Sequence, residues 1–236
     1  MDSPALRLFR ERAGEVALLL ALCSPEDADL PERMKSRKQD AALCRSALVL
    51  LCSHMEGFFE DLVSACLEFH ERNGTLAGEL PLRLRVVQIW RSREPPDGAS
   101  DECIWRMIEG VRDAPLANDS TVCRCGLLDS ELHVHGFATP GSKEVDKLFA
   151  SAGILDVWSA IAEENTDVAR VKTNLDAMVH RRHPVAHGDA GVAPTRGDIE
   201  SYLSDMIVLA EHFDSAVEKR LIASHPTRTP WSLVSE

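Results

Sequence analysis

The stretch LVLLCSHMEGFFEDLVSACLEF, Leu48 to Phe69, decides how the chain folds. Its apolar residues recur at alternating steps of three and four: Leu48, Leu51, Met55, Phe58, Leu62, Ala65 and Phe69 make one stripe. That is the period of an amphipathic α-helix; a half-buried strand would alternate every second residue. A second stripe, Val49, Cys52, Glu56, Phe59, Val63 and Cys66, runs beside the first and is apolar except for Glu56. A helix with two apolar stripes has to be covered on more than one side, so this element is expected at the centre of a helical bundle. Its pattern extends over roughly residues 38–72, and Asn73-Gly74 supplies the stop.

Outward from that centre, the same signals place the other elements. Ser3 before Pro4 is a good N-cap and first-turn pair, so a helix is expected from there to about Cys23, where Ser24-Pro25 ends it. Shorter helices are expected at roughly 81–91 and 102–112, divided by the turn-rich run Arg93 to Gly98. Residues 114–141 are the least helical part. There Thr121-Val122-Cys123 and Leu132-His133-Val134-His135 could pair as a small β-hairpin. Ser142 is expected to cap a helix that reaches about Ala152 before Gly153. Thr166-Asp167 opens another helix, with Val168, Val171, Leu175, Met178 and Val179 on one face. It is expected to end near His183, because proline disfavours the helical conformation in the residue before it. Gly188 to Pro194 reads as a loop. Thr195 with Asp198 resembles a capping box before a last helix striped by Ile199, Leu203, Met206, Ala210, Phe213, Val217 and Leu221. The tail from His225 carries two prolines and is expected to be loosely held. The whole reads as a mainly all-α chain: one domain over 1–222 with an irregular insertion at 93–141, and a tail over 223–236.

Composition narrows the function classes. The chain has 236 residues, 44% of them hydrophobic, enough for a core without disulfide staples. No run of about 18 apolar residues appears, so no membrane span is expected. The start, Met1-Asp2-Ser3-Pro4, lacks the basic and apolar regions of a secretory signal. Seven cysteines is an odd count, and Cys23, Cys44, Cys52 and Cys66 fall in apolar helical patterns, where a free thiol acts as a small hydrophobe. A reducing, cytoplasmic setting is therefore expected. The net charge of −12 argues against a broad nucleic-acid-coating surface. It leaves room for an enzyme that grips RNA at one local basic site.

Such a site exists in His180-Arg181-Arg182-His183-Pro184-Val185-Ala186-His187-Gly188. On an unbroken helix Arg182 and His187 would point about 140° apart; a break at Pro184 would let the chain turn and bring them together. A histidine titrates near neutrality and can accept or donate a proton. A guanidinium can hold a phosphate by two parallel hydrogen bonds and stabilise charge growing on it. RNA brings its own nucleophile, the 2′-hydroxyl, so no cofactor is required. The competing interpretation is a helix C-terminus decorated with cations that suit its dipole.

Three segments together resemble the HEPN superfamily of helical nucleotide-binding and RNase domains, most nearly its MAE-type nuclease branch. They are Ala47 to Phe58, with an acidic residue before glycine and an aromatic; Gly141 to Phe149 followed by Gly153-Ile154; and Arg182 to Gly188, similar to the family's Arg, four to six residues, His signature. The resemblance spans roughly residues 40–222. It implies an up-down bundle of four to five helices that dimerises across the motif face, each protomer supplying Arg182 and His187 to a shared cleft. It also implies metal-independent endoribonuclease action in toxin, antiphage or other conflict systems, with a neighbour-encoded antitoxin or regulator as a further partner. The chain departs from the family at His183, where Asn or Asp is common, at Pro184, and at Asp189, where some toxins carry a modified tyrosine.

Glu56 is expected to orient Arg182, because a carboxylate in an apolar stripe is costly to bury unpaired; otherwise it is a helix glutamate at a groove edge. His180 and Arg181 are expected to be auxiliary phosphate contacts or solvated flanks. His183 is either a second proton-transfer group or a spacer. A rival site is a zinc-binding hairpin of Cys123, Cys125, His133 and His135, although paired zinc ligands are usually spaced more widely. Two other functions compete with cleavage: a non-catalytic module that binds a nucleotide or partner, and a structural partner in a toxin–antitoxin pair with a vestigial motif.

Overall fold

The computed structural model describes residues 2–24, 30–91, 110–111, 113–163, 165–189 and 191–231. The Ser3 hydroxyl accepts a hydrogen bond from the Leu6 backbone N–H at 3.0 Å, and Pro4 takes the first helical position, so α1 runs Pro4–Ala21. The central helix α2 is longer than its stripes require, Leu30–Arg72. Gly74, at φ +59°, turns the chain away from it. Leu48, Leu51, Met55, Phe58, Leu62 and Phe69 are all buried, as are Cys52, Phe59, Val63 and Cys66 of the second stripe. By length and composition residues 37–72 of α2 could cross a membrane, but these apolar stripes are covered by the protein's own helices.

α1 packs along α2, and the two helices near the C-terminus complete the bundle: α7 (Val168–Ala186) and α8 (Arg196–Ser224) pack on α2 and on each other, and α8 also meets α1. Phe59 sits at the middle, edge-on to Phe213 at 4.9 Å and to Phe149 at 6.0 Å. Aromatic contacts of this geometry add to burial. The short helices α5 (Ser142–Ser151) and α6 (Val157–Ala162) close one side. Thr195 and Asp198 form the reciprocal cap at the start of α8.

A smaller apolar cluster, Leu67, Ala77, Leu80, Leu84, Leu116, Cys123 and Leu128, lies under α3 (Leu82–Arg91) and the irregular segment beyond it. The helix expected over 102–112 lies almost wholly outside the described residues.

Four expectations need correction. The β-hairpin at 114–141 does not form among the described residues. Thr121 to Cys123 pairs instead with 75–77: the Ala77 N–H donates to Thr121 O at 2.8 Å and the Cys123 N–H to Thr75 O at 2.9 Å. Its intended partner is the one-turn helix α4, Glu131–Val134, begun where Asp129 Oδ1 accepts from the Glu131 N–H. Gly141, not Ser142, takes the cap position of α5, because the Ser142 hydroxyl donates to Asp176 Oδ2 at 2.7 Å. α7 runs through Pro184 to Ala186. Proline denies one N–H to the ladder, which is tolerable so close to a helix end. The end itself is a Schellman motif at Gly188, φ +82°, with Gly188 N–H to Val185 O at 3.1 Å and Asp189 N–H to Pro184 O at 2.9 Å. Finally, the tail is held as far as Trp231, which is 2% exposed. His225 anchors its start against Thr75 Oγ1 at 3.0 Å.

Candidate functional site

The basic cluster lies on the last turns of α7. Because the helix continues through Pro184, it does not turn Arg182 and His187 toward one point. Successive side chains advance about 100°, so His183 and His187, one turn apart, share a face, whereas Arg182 points elsewhere. The structure bears this geometry out: the His183 and His187 rings meet edge-to-face at 4.6 Å between centroids, and both residues are exposed. These are the two imidazoles of the motif that one chain brings together. His180 is also exposed.

Arg182 turns the other way, toward α2, and is only partly exposed. Its Nε is buried and has no hydrogen-bond partner. The groups that feel its charge are Cys52 and Glu56, one turn apart on the second stripe of α2. Burial pushes the Cys52 thiol up to about 12, and Arg182 opposes the shift. Burial likewise raises Glu56 above the usual carboxylate range, with Arg182 pulling it back. No hydrogen bond or ion pair joins Glu56 to Arg182 among the described residues, so the coupling between them is a field across a gap, not the direct contact expected.

Arg181 is differently placed. Its Nη1 lies 3.0 Å from Asp198 Oδ1 and its guanidinium stands 5.8 Å from the Tyr202 ring centre. Its interaction with Asp198 raises its pKa, and the ion pair keeps it on α8. Arg181 therefore ties α7 to α8 and offers less to a ligand than sequence suggested.

The rival zinc site falls apart. Cys123 is buried in the smaller cluster while Cys125 is exposed. Both nitrogens of His133 are engaged: Gln88 Nε2 donates to its Nε2 at 2.9 Å, and its Nδ1 faces Ser151 Oγ at 2.9 Å. Because Ser151 Oγ donates in turn to Leu148 O, the ring is a neutral Nδ1–H tautomer within a satisfied buried network. Among the described residues no three His, Cys, Asp or Glu side chains are grouped to hold a metal.

Sequence reasoning missed the surroundings of the motif. Beside Gly188 and Val185 opens a groove of about 820 Å³ whose other walls are Leu19 of α1 and the Arg45, Ser46, Val49 and Ser53 face of α2. Its sequence trace is the polar positions 45, 46 and 53 outside the buried stripes of α2.

The bundle of long helices is consistent with a HEPN-type all-α fold. Residues 11–97 match the family model described as RiboL-PSP-HEPN, and this match supports membership of the HEPN superfamily. HEPN-type domains are often RNases. The matched stretch takes in most of α1, all of α2 and α3, including Glu56, and stops short of the Arg182–His187 segment. The likeness to the MAE-type branch remains a resemblance within the superfamily. No curated protein and no solved structure matches the chain.

Proposed function

We propose that the protein is a HEPN-type endoribonuclease that cleaves RNA by attack of the 2′-hydroxyl on the adjacent phosphate, without a metal ion. The observation that carries this proposal is the exposed His183–His187 pair on the same helix end as Arg182, whose buried Nε has no hydrogen-bond partner. One imidazole takes the proton from the 2′-hydroxyl and another returns a proton to the departing 5′-oxygen. The P–O5′ bond breaks as the 2′-O–P bond forms, which leaves a 2′,3′-cyclic phosphate and a 5′-hydroxyl. Arg182 holds the non-bridging oxygens, where negative charge accumulates. Glu56 keeps the guanidinium from swinging away by its field.

Arg182 and His187 diverge within one chain, so we place the complete site between two copies. Each protomer faces the other across the end of α7, and Arg182 of one approaches the imidazoles of the other. The exposed Leu18 and Leu22 of α1 flank Leu19 at the same end and supply apolar surface for that contact. A toxin or antiphage role in the cytoplasm, with a neighbour-encoded antitoxin, is the biological setting we propose. The test is analysis of product ends from single-stranded RNA in EDTA. Wild type should give 2′,3′-cyclic phosphates and 5′-hydroxyls, and His187→Ala should give neither; 3′-hydroxyl ends, or activity that needs magnesium, would overturn the mechanism.

A second reading rests on the net charge of −12 and the departures at His183 and Pro184. In it the same surface binds a nucleotide or partner without cutting. Retained RNA binding with no cleavage in wild type would favour it.

A further inference from the structure

Groove, charge and helix pattern converge on one surface that the proposed chemistry does not use. One face of α2 is covered in this region, with Cys44, Ala47, Leu48, Leu51 and Cys52 all buried. Between these positions, its Arg45, Ser46, Val49, Leu50 and Ser53 face is left open, walled by Leu19 and by Val185 and Gly188 at the end of α7. Gly188 directly follows His187, so the groove begins where the reacting phosphate would lie. Its volume, about 820 Å³, is that of a small-ligand site. Its walls are mixed: aliphatic surface from Leu19, Val49 and Val185, two hydroxyls, and one guanidinium.

Among the described residues, the one cation in its wall is unneutralised. Several arginines of this acidic chain are paired: Arg10 with Asp2 and Glu211, Arg12 with Asp61, Arg85 with Asp119, Arg170 with Asp167 and Asp205, Arg181 with Asp198. Arg45, in the groove wall, and Arg182, on the adjacent helix end, have no acidic side chain within ion-pair distance among the described residues. Unpaired cations beside an aliphatic slot with hydroxyls complement a nucleotide: backbone phosphate on the cations, base in the slot.

We infer that this groove is the binding subsite for the nucleotide next to the scissile phosphate of a single-stranded RNA, with Arg45 on the flanking phosphate. Val49, Leu19 and Val185 enclose the base, and Ser46 and Ser53 address its polar edge, so these residues set base preference. A base can reach the slot only when unpaired, which makes single strands, loops and bulges the substrates. The inference rests on the ribonuclease reading, and its test separates the two.

Two variants probe the groove: Arg45→Ala removes its cation, and Ser46→Trp fills it from an exposed position on α2. Binding is measured on a fluorescently labelled single-stranded oligonucleotide made non-cleavable by 2′-deoxy substitution. Cleavage is measured on a random RNA pool by sequencing the ends. Each variant should weaken binding by about tenfold or more and flatten the base preference next to the cut, with helical content unchanged. If wild type binds but does not cut, and both variants lose binding, the groove stands and the nuclease reading fails. If wild type cuts and both variants bind and cut with unchanged preference, the groove assignment fails and the nuclease reading stands. Loss of dimer in Ser46→Trp with RNA binding intact would show the groove to be a protein interface and overturn the inference.

Discussion

A guanidinium and an ammonium carry the same charge with different geometry, and at Arg182 the difference is measurable. Arg182→Lys keeps the field felt by Cys52 and Glu56 but loses the planar two-point grip on a phosphate. We expect it to cost about a hundredfold or more in kcat/KM, at the scale of losing a transition-state hydrogen-bond donor. Glu56→Gln removes only a field across a gap and should cost about tenfold or less. Additive losses in the double variant would mean that Glu56 does not act through Arg182. A second residue-scale test concerns stability. Burial lowers His70 from 6.5 to about 4, with His225 adding to the effect. The unfolded chain therefore takes up the proton first, and stability is lost as pH falls from about 6.5 toward 4. The contribution is on the order of 3 kcal/mol. His70→Gln should flatten the pH dependence of Tm across that window, and parallel curves for the two proteins would contradict it.

At the scale of elements, legibility followed how local the determining interaction is. α1, α2 and α8 were readable because caps at Ser3 and Thr195 and stripes at helical period lie within the segments themselves. The strand-like pattern at Thr121 to Cys123 was real, but its partner is 75–77, more than forty residues away, a pairing no local signal announces. Pro184 misled for another reason: the bias against helix before proline is a preference, and the Schellman bonds at Gly188 outweigh it. Sequence therefore singled out Arg182, His183 and His187 as candidates without their geometry. Since the helix does not depend on Pro184, Pro184→Ala should leave cleavage essentially unchanged. By restoring one N–H to the ladder it should add about 1 kcal/mol of stability. Lost activity at unchanged Tm would give the proline a positioning role.

For the molecule as a whole, the divergence of Arg182 from His187 makes dimerisation a requirement of the mechanism. Light scattering at micromolar concentration should report a dimer. Arg182→Ala and His187→Ala, each inactive alone, should recover part of the activity when refolded together, because a mixed dimer keeps one intact half-set of groups. A strict monomer, or no recovery on mixing, would place the chemistry within one chain. The acidic body has a kinetic consequence as well: it opposes the approach of RNA, so binding at a local basic site should weaken steeply with salt.

The central claim, that the end of α7 cuts RNA with imidazole and guanidinium groups alone, reduces to one measurement. Single-stranded RNA is incubated in EDTA with wild type, His187→Ala and Arg182→Ala at matched folded concentrations, and the rate of strand scission is followed. The account predicts scission by wild type, undiminished by chelator, and loss of about a hundredfold or more in each variant. Equal scission by wild type and both variants, or none by wild type, would contradict it.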